Sequence, residues 1–541
     1  MKVKCLLSFR ETHVENPGKN PGENHVVKRL LPFYLLPFTL LPFSLFLLFS
    51  FLPLSAEAQE HYSCTRNMSR ALTRGYLDYP IKTWDANRIY RQPVILITFK
   101  DCEFSMPDPA GFYQRILNEQ GYNEGGGAGC LADYFRDQSD GKFNLQFDVY
   151  GPVQVDTLVA GNGKNNYGEY SVRKATQLLA EAEGIDFSPY DWDGDGKVDQ
   201  VVYIAAGLCG NQSKKGYIWP NSGYFYPTVS MPGGVTVDYY SISCELWKDG
   251  SSCGIGTICH EFTHCLGLPD IYPTNNTVFS VVDEWDLMDG GNYTAKGWCP
   301  PNYSALEKML LGWKTPIELT DSVSITGMKP VCDGGETYII HNPGQENEFY
   351  LLENRQQRGW DYAAPGCGLV IFHVDYDREV WSNNNVNTSK THFRYSLFNA
   401  DGKTYQDWDP SDNGQDLGKY TMENWMRNRY LSTSPYPYFV DSLGIVNQML
   451  TDDSSPAATL FNKNADGGTF MSKPITNIRI AEDGTAAFDF MAPPTAIVRP
   501  SAAKRPVAYY DLDGRRLPSA PSCPGIYILR YTDGTTRKVI K

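Results

Sequence analysis

Apolar and polar positions alternate in two different textures along this chain. Between residues 93 and 313, short continuous apolar runs alternate with stretches of helical period. The run PVILITF (93–99) has no charged gap and reads as a strand buried on both faces. Residues 143–149 and 201–206 read as further strands, and residues 172–183 as a helix. That alternation predicts a mixed α/β (α+β) domain over 92–315. Beyond Pro316 the runs shorten and turn signals multiply, at 337–341, 349–353, 368–374 and 475–490. This predicts an all-β accessory domain over 316–492. A Pro-rich link then leads into a small β module within 493–541.

The amino-terminal pattern is different again. Residues 30–54 carry no charge, follow Lys28 and Arg29, and end in the small-residue sequence AEA before Gln59. The stretch is long enough to span a bilayer. However, Pro32, Pro37 and Pro42 interrupt any helix there, and a span leaves the AEA site unexplained. We therefore expect a signal peptide over 1–58, with translation starting later than Met1 as a hypothesis for the polar residues 1–27. No stable membrane span is expected after its removal. Residues 59–91 read as a polar leader or short pro-segment.

Composition narrows the function. The 541 residues carry 48 Lys+Arg against 62 Asp+Glu, a formal charge of −14. An acidic chain without a long basic run argues against nucleic-acid binding. At 42% hydrophobic and 13% aromatic, the chain is too apolar for disorder. Thirteen cysteines fit an oxidising compartment without building the whole scaffold. Cys64 in the leader reads as a disulfide half rather than a thiolate blocking a metal, and no pairing follows from the sequence alone.

The chemistry concentrates in HEFTHCLGLPD (260–270). Residues i and i+4 of a helix lie about 40° apart, so His260 and His264 face one way and can share a metal. Glu261 projects beside them, where it can take a proton from an activated water. Gly267 permits the positive φ that ends the helix, and Asp270 then offers a third ligand. Three protein ligands with an open position describe a catalytic zinc site. Asp283 and Glu284 remain alternatives for the third position. Cys259 and Cys265 point away from the histidine face and read as packing or disulfide residues.

With WDLMDGG (285–291) downstream, this stretch is similar to the metzincin pattern, in which Met288 lies beneath the metal. More closely, the chain resembles the immune-inhibitor-A family of secreted bacterial metallopeptidases. The likeness extends to PVILITFKD, LADYFRDQSDGKF, DWDGDGKVD, GLPDIY, LEKMLLGW, FYLLENRQ, GLVIFHVD and PITNIR, and so covers about residues 90–492. It implies a metzincin-like zinc peptidase fold with His260, His264 and Asp270 as zinc ligands and Glu261 as general base. Protein or peptide substrates are implied with it. Gly290 stands where some metzincins have tyrosine, and Tyr293 is the nearby candidate for oxyanion stabilisation.

DWDGDGKVD (191–199) places carboxylates at alternate positions around glycines, a pattern suited to calcium. Val202 stands where an EF-hand has its bidentate Glu, so Asp191, Asp193, Asp195 and Asp199 would have to supply the ligands. His373 reads as a core histidine, and Glu353 with Arg355 as a structural pair. The tail (493–541) carries nine Lys/Arg and three Asp. Through YYDLDGRRL, GIYILR and RKVIK it resembles the sorting domain of type IX secretion, which implies contact with secretion machinery and a secreted or cell-surface location.

The leading expectation is a secreted zinc endopeptidase needing Zn2+ and structural Ca2+. The rival is a surface adhesin with an idle protease domain, against which the intact Glu261 argues. A glycosidase is disfavoured because no carboxylate pair is nominated by spacing.

Overall fold

The computed structural model describes residues 83–159, 167–211, 217–275, 280–404, 407, 430–440 and 445–492, and in the tail 506–510, 515–517, 526–531 and 536–540. The expected signal peptide, its cleavage site, Cys64 and most of the leader lie outside these residues.

Among the described residues the first half is a mixed α/β unit. Strands β1 (Ile89–Thr98), β2 (Asn144–Gln154), β3 (Val201–Leu208), β4 (Asn221–Met231) and β5 (Val235–Leu246) form one sheet in the order β2-β1-β3-β5-β4. All neighbours run parallel except β4, an antiparallel edge. The apolar run read as a two-faced strand divides its side chains by period two. Val94 and Leu96 enter one buried cluster; Ile95 and Ile97 enter another on the opposite face.

Helices cover both faces. The first cluster takes Ile116 and Leu117 of α1 (Pro109–Asn118) and Phe135 of α2 (Leu131–Gln138). The second takes Val172, Ala175 and Leu179 of α3 (Glu169–Ala180). Each fully buried side chain of this size contributes roughly 1.5–3 kcal/mol. Helix α4 (Gly256–Leu266) is buried along its whole length and sends Ile258, Phe262 and Leu266 into the first cluster. α5 (Ala305–Leu310) closes the unit with a capping box between Ser304 and Glu307.

The end of the expected leader is part of this fold. β1 starts at Ile89, and Trp84 donates its indole N–H to Leu311 O at 2.6 Å while packing on Phe143. Its large apolar ring is worth more in the core than in a solvated leader.

The second half is β-rich. β6 (Ile317–Glu318), β7 (Val323–Met328), β8 (Tyr338–Asn342), β9 (Gln345–Arg355), β10 (Gly368–Asp375) and β11 (Tyr395–Leu397) are joined by the short helix α6 (Arg378–Ser382). One sheet runs β11-β10-β9-β8-β6. β12 (Tyr438–Val440) and β13 (Ile445–Asn447) pair as a ribbon, and β14 (Ile475–Ile480) and β15 (Ala486–Phe490) join β7 in a third sheet. Again period two decides the packing. Tyr350, Leu352, Leu369 and Ile371 face Ile478 and Phe488, whereas Leu351, Val370 and Phe372 join the cluster holding Phe262 and Met288. Residues on both sides of position 316 therefore share one buried cluster.

A buried ion group lies in the same region. Arg355 donates to Glu353 at 3.0 Å and to Asp361 at 2.8 Å, and reaches the carbonyl oxygens of Trp285 and Asn302. His373 is a core histidine as expected, its Nε2 2.8 Å from Glu348 and its ring stacked on Phe398. The tail strands β16 (Pro506–Tyr510), β17 (Arg516–Leu517), β18 (Ile526–Tyr531) and β19 (Thr536–Ile540) make a small antiparallel sheet. No helix among the described residues is long and apolar enough to cross a membrane.

Among the described residues Cys102, Cys130, Cys209, Cys244, Cys253, Cys259, Cys299, Cys332 and Cys367 are free thiols. Cys259 packs in the first cluster, and Cys265 packs against Tyr224 and Tyr239. Cys209 and Cys253 bring their sulfur atoms to 3.4 Å.

Candidate metal centre

Helix α4 sets the register of the site. It ends where Gly267 takes φ 108°, a value that side chains with a Cβ rarely adopt. The Gly267 N–H returns to His264 O at 2.9 Å, and the chain reverses towards Asp270. His260 and His264, one turn apart, have ring centroids 4.8 Å apart and planes nearly perpendicular.

Backbone carbonyls orient both rings. Nδ1 of His260 lies 2.8 Å from Leu287 O, and Nδ1 of His264 lies 2.8 Å from Leu268 O. A carbonyl only accepts, so each Nδ1 carries the proton and each Nε2 is turned to the common space. Asp270 Oδ1 meets them there, 3.2 Å from His260 Nε2 and 3.1 Å from His264 Nε2. All three residues are buried. Burial alone would raise the Asp270 carboxyl, but its contacts with the imidazoles of His264 and His260 outweigh it. They hold it well below the usual carboxylate range.

These donor atoms form one of two acidic or histidine groups that converge closely enough to hold a metal among the described residues. Two imidazole nitrogens and a carboxylate oxygen, with both rings held from behind, fit a zinc ion. Asp283 and Glu284, the alternatives for the third position, are not in the group. The backbone N–H of Asp283 instead donates to Asp289 Oδ2 at 2.9 Å.

Glu261 lies next to His260 on α4 and is 3% exposed. Met288 is fully buried; its carbonyl accepts the Ile271 N–H at 2.8 Å and its own N–H goes to Asp286 Oδ1. The methionine turn thus ties together the chain before and after the metal loop. Tyr293 is held by two neighbours. Its hydroxyl accepts from Asn211 at 3.1 Å, its ring packs on Trp247, and burial raises its phenol.

The second convergent group is Asp191, Asp193 and Asp195. Their oxygens accept the loop's own amides: Asp191 takes those of Gly194, Asp195 and Gly196, and Asp195 takes that of Lys197. Asp199, expected to complete the set, lies outside the group; its Oδ2 accepts the Trp192 N–H at 2.6 Å. A buried amide needs a partner, and the Asp199 carboxylate supplies it.

Sequence reasoning missed the groups that hold the ligands. Leu287 and Leu268 act through main-chain oxygens, which no side-chain pattern reveals. Thr263 and Tyr303, hydrogen-bonded beneath α4, were equally silent.

Residues 213–313 match the sequence model of the immune inhibitor A peptidase M6 catalytic domain. The chain is 22% identical over 272 residues to the pre-pro-metalloprotease PrtV of Vibrio cholerae, covering 43% of this chain and 29% of that protein. It is 22% identical over 267 residues to immune inhibitor A of Bacillus thuringiensis subsp. alesti, covering 40% and 38% respectively. The chain spans well under half the length of these relatives. The family match and the names of the relatives support a metallopeptidase.

Proposed function

We propose that this chain is a secreted zinc-dependent endopeptidase that hydrolyses peptide bonds of extracellular proteins. The observation that carries the reading is the convergence of His260 Nε2, His264 Nε2 and Asp270 Oδ1, with both imidazoles oriented from behind by carbonyls. Held by these three residues, a zinc ion would supply the Lewis acidity that activates water and polarises a peptide carbonyl. Glu261 takes the proton of the attacking water and returns it to the leaving nitrogen, the two halves of general acid–base catalysis. Its buried position shields that proton from bulk solvent. Met288 and its turn keep His260 oriented, and Gly267 delivers Asp270 to the site. Tyr293, with its hydroxyl accepting from Asn211, keeps its own O–H as the donor for oxyanion stabilisation.

Structural calcium at Asp191, Asp193 and Asp195 belongs to the same reading, as does export through the amino-terminal signal and the carboxy-terminal β module. Casein hydrolysis by the full chain, compared with Glu261→Ala at equal zinc content, tests the central claim. Activity confined to the wild type supports it. Equal activity in both rejects the role of Glu261.

A further inference from the structure

The carboxylate of Asp270 has two oxygens, and Oδ1 is the one 3.2 and 3.1 Å from the imidazoles. What fixes the other one comes from the β-rich half. Asn384 Nδ2 donates to Asp270 Oδ2 at 2.7 Å, and the Asp270 backbone N–H donates to Asn384 Oδ1 at 2.7 Å. A single carboxamide thus grips both the main chain and the side chain of one residue. The backbone N–H can only donate, so the amide oxygen must face it and the amide nitrogen must face Oδ2. With both contacts made, the Asp270 side chain is fixed with Oδ1 towards His260 and His264.

Asn384 is itself built to stay. It follows α6 in the left-handed region at φ 55°, where asparagine is better tolerated than most residues. Its N–H donates to Trp381 O, and Trp381 and Val386 are buried in the cluster that also holds Met288. Its carbonyl accepts from Thr274 Oγ1 at 2.8 Å, and Asn387 donates to Ile271 O at 3.0 Å. The strap 384–388 is therefore bonded to the metal loop 270–275 at several points, and Asn275 donates to Thr388 O at its far end.

We propose that Asn384 is a positioning residue for the metal-binding carboxylate of Asp270, so that the β-rich half completes the metal site. This rests on the reading of His260, His264 and Asp270 as zinc ligands. Outer partners of metal ligands typically change metal affinity by about 10- to 100-fold when removed.

The test uses the full chain, stripped of metal and titrated with Zn2+ against a chromophoric chelator. Asn384→Gly and Asn384→Asp are compared with the wild type. Glycine deletes the carboxamide yet accepts positive φ, so backbone strain does not enter. Aspartate keeps the acceptor for the Asp270 N–H and sets a like charge against Oδ2. We expect one tight Zn2+ site in the wild type, lost in His264→Ala, and about 10- to 100-fold weaker binding in both Asn384 variants. The visible spectrum of the Co2+-loaded variants should also change, while metal-free circular dichroism stays native. Wild-type affinity and an unchanged Co2+ spectrum in either folded variant would overturn the positioning role and leave the metal reading intact. Should Asn384→Gly not fold, Asn384→Asp decides the question alone. A wild type that binds no Zn2+ would overturn the metal reading, and this proposal with it.

Discussion

Nδ1 of His260 lies 2.8 Å from the carbonyl oxygen of Leu287, the residue before the buried Met288. The methionine turn thus orients the ring through its main chain, while the Met288 side chain is buried in the first cluster. Met288→Leu, a swap of nearly equal volume, should cost less than about 1.5 kcal/mol and leave peptidase activity within a few-fold. Met288→Ala should cost about 2–5 kcal/mol. Urea unfolding of both variants checks the pair of values; equal costs would show that volume is not what matters there.

Glu261→Gln keeps the size of the side chain and removes its basicity. Casein hydrolysis should fall by about 10²- to 10⁴-fold with Zn2+ content unchanged. A parallel loss of zinc would mean that Glu261 supports the ligands instead.

Chelation should abolish hydrolysis, and added Zn2+ should restore it. Metal bound only by the folded chain stabilises it by about 2.7 kcal/mol at a hundredfold excess over its dissociation constant. The melting temperature should therefore rise with Zn2+ in the wild type and stay constant in His264→Ala.

Lys308 on α5 is buried, and desolvation lowers its ammonium from 10.5 to about 8. Between those values the unfolded chain binds the proton and the folded chain does not, so this group favours folding increasingly as pH rises from 8 to 10.5. At pH 7 it costs the fold on the order of 3 kcal/mol. Lys308→Met should be more stable than wild type at pH 7 by a similar amount, with the difference shrinking by pH 9.5. Denaturant titrations at the two pH values test the sign.

Arg355 sits fully buried among Glu353, Asp361 and two carbonyls. Arg355→Leu strands two buried carboxylates and should destabilise the chain by about 3–5 kcal/mol. Adding Glu353→Leu should recover part of that loss, as a double-mutant cycle would show.

Much of the site was legible because its logic is local. His260, His264, Gly267 and Asp270 occupy eleven consecutive positions, and helical spacing with one glycine reversal specifies their convergence. The buried strands were legible for a similar reason, since β1 and β3 are continuous apolar runs with a helical cover on each face. The limits were equally physical. An amide at position 384 looks like any loop asparagine until the fold brings it to Asp270. At Asp199, spacing does not record the bond its Oδ2 makes to the Trp192 N–H. The boundary near 316 was drawn from a change of texture, whereas side chains from both textures meet in one buried cluster.

Asp270 and Asn384 are separated by 114 positions in sequence. A chain made from its amino terminus exposes the two histidines and the aspartate long before the asparagine that grips the aspartate exists. The clamp closes only after the strands from β8 to β10 and the helix α6 have been synthesised and packed. The order of synthesis thereby delays this contact until the whole stretch between the two residues has been made.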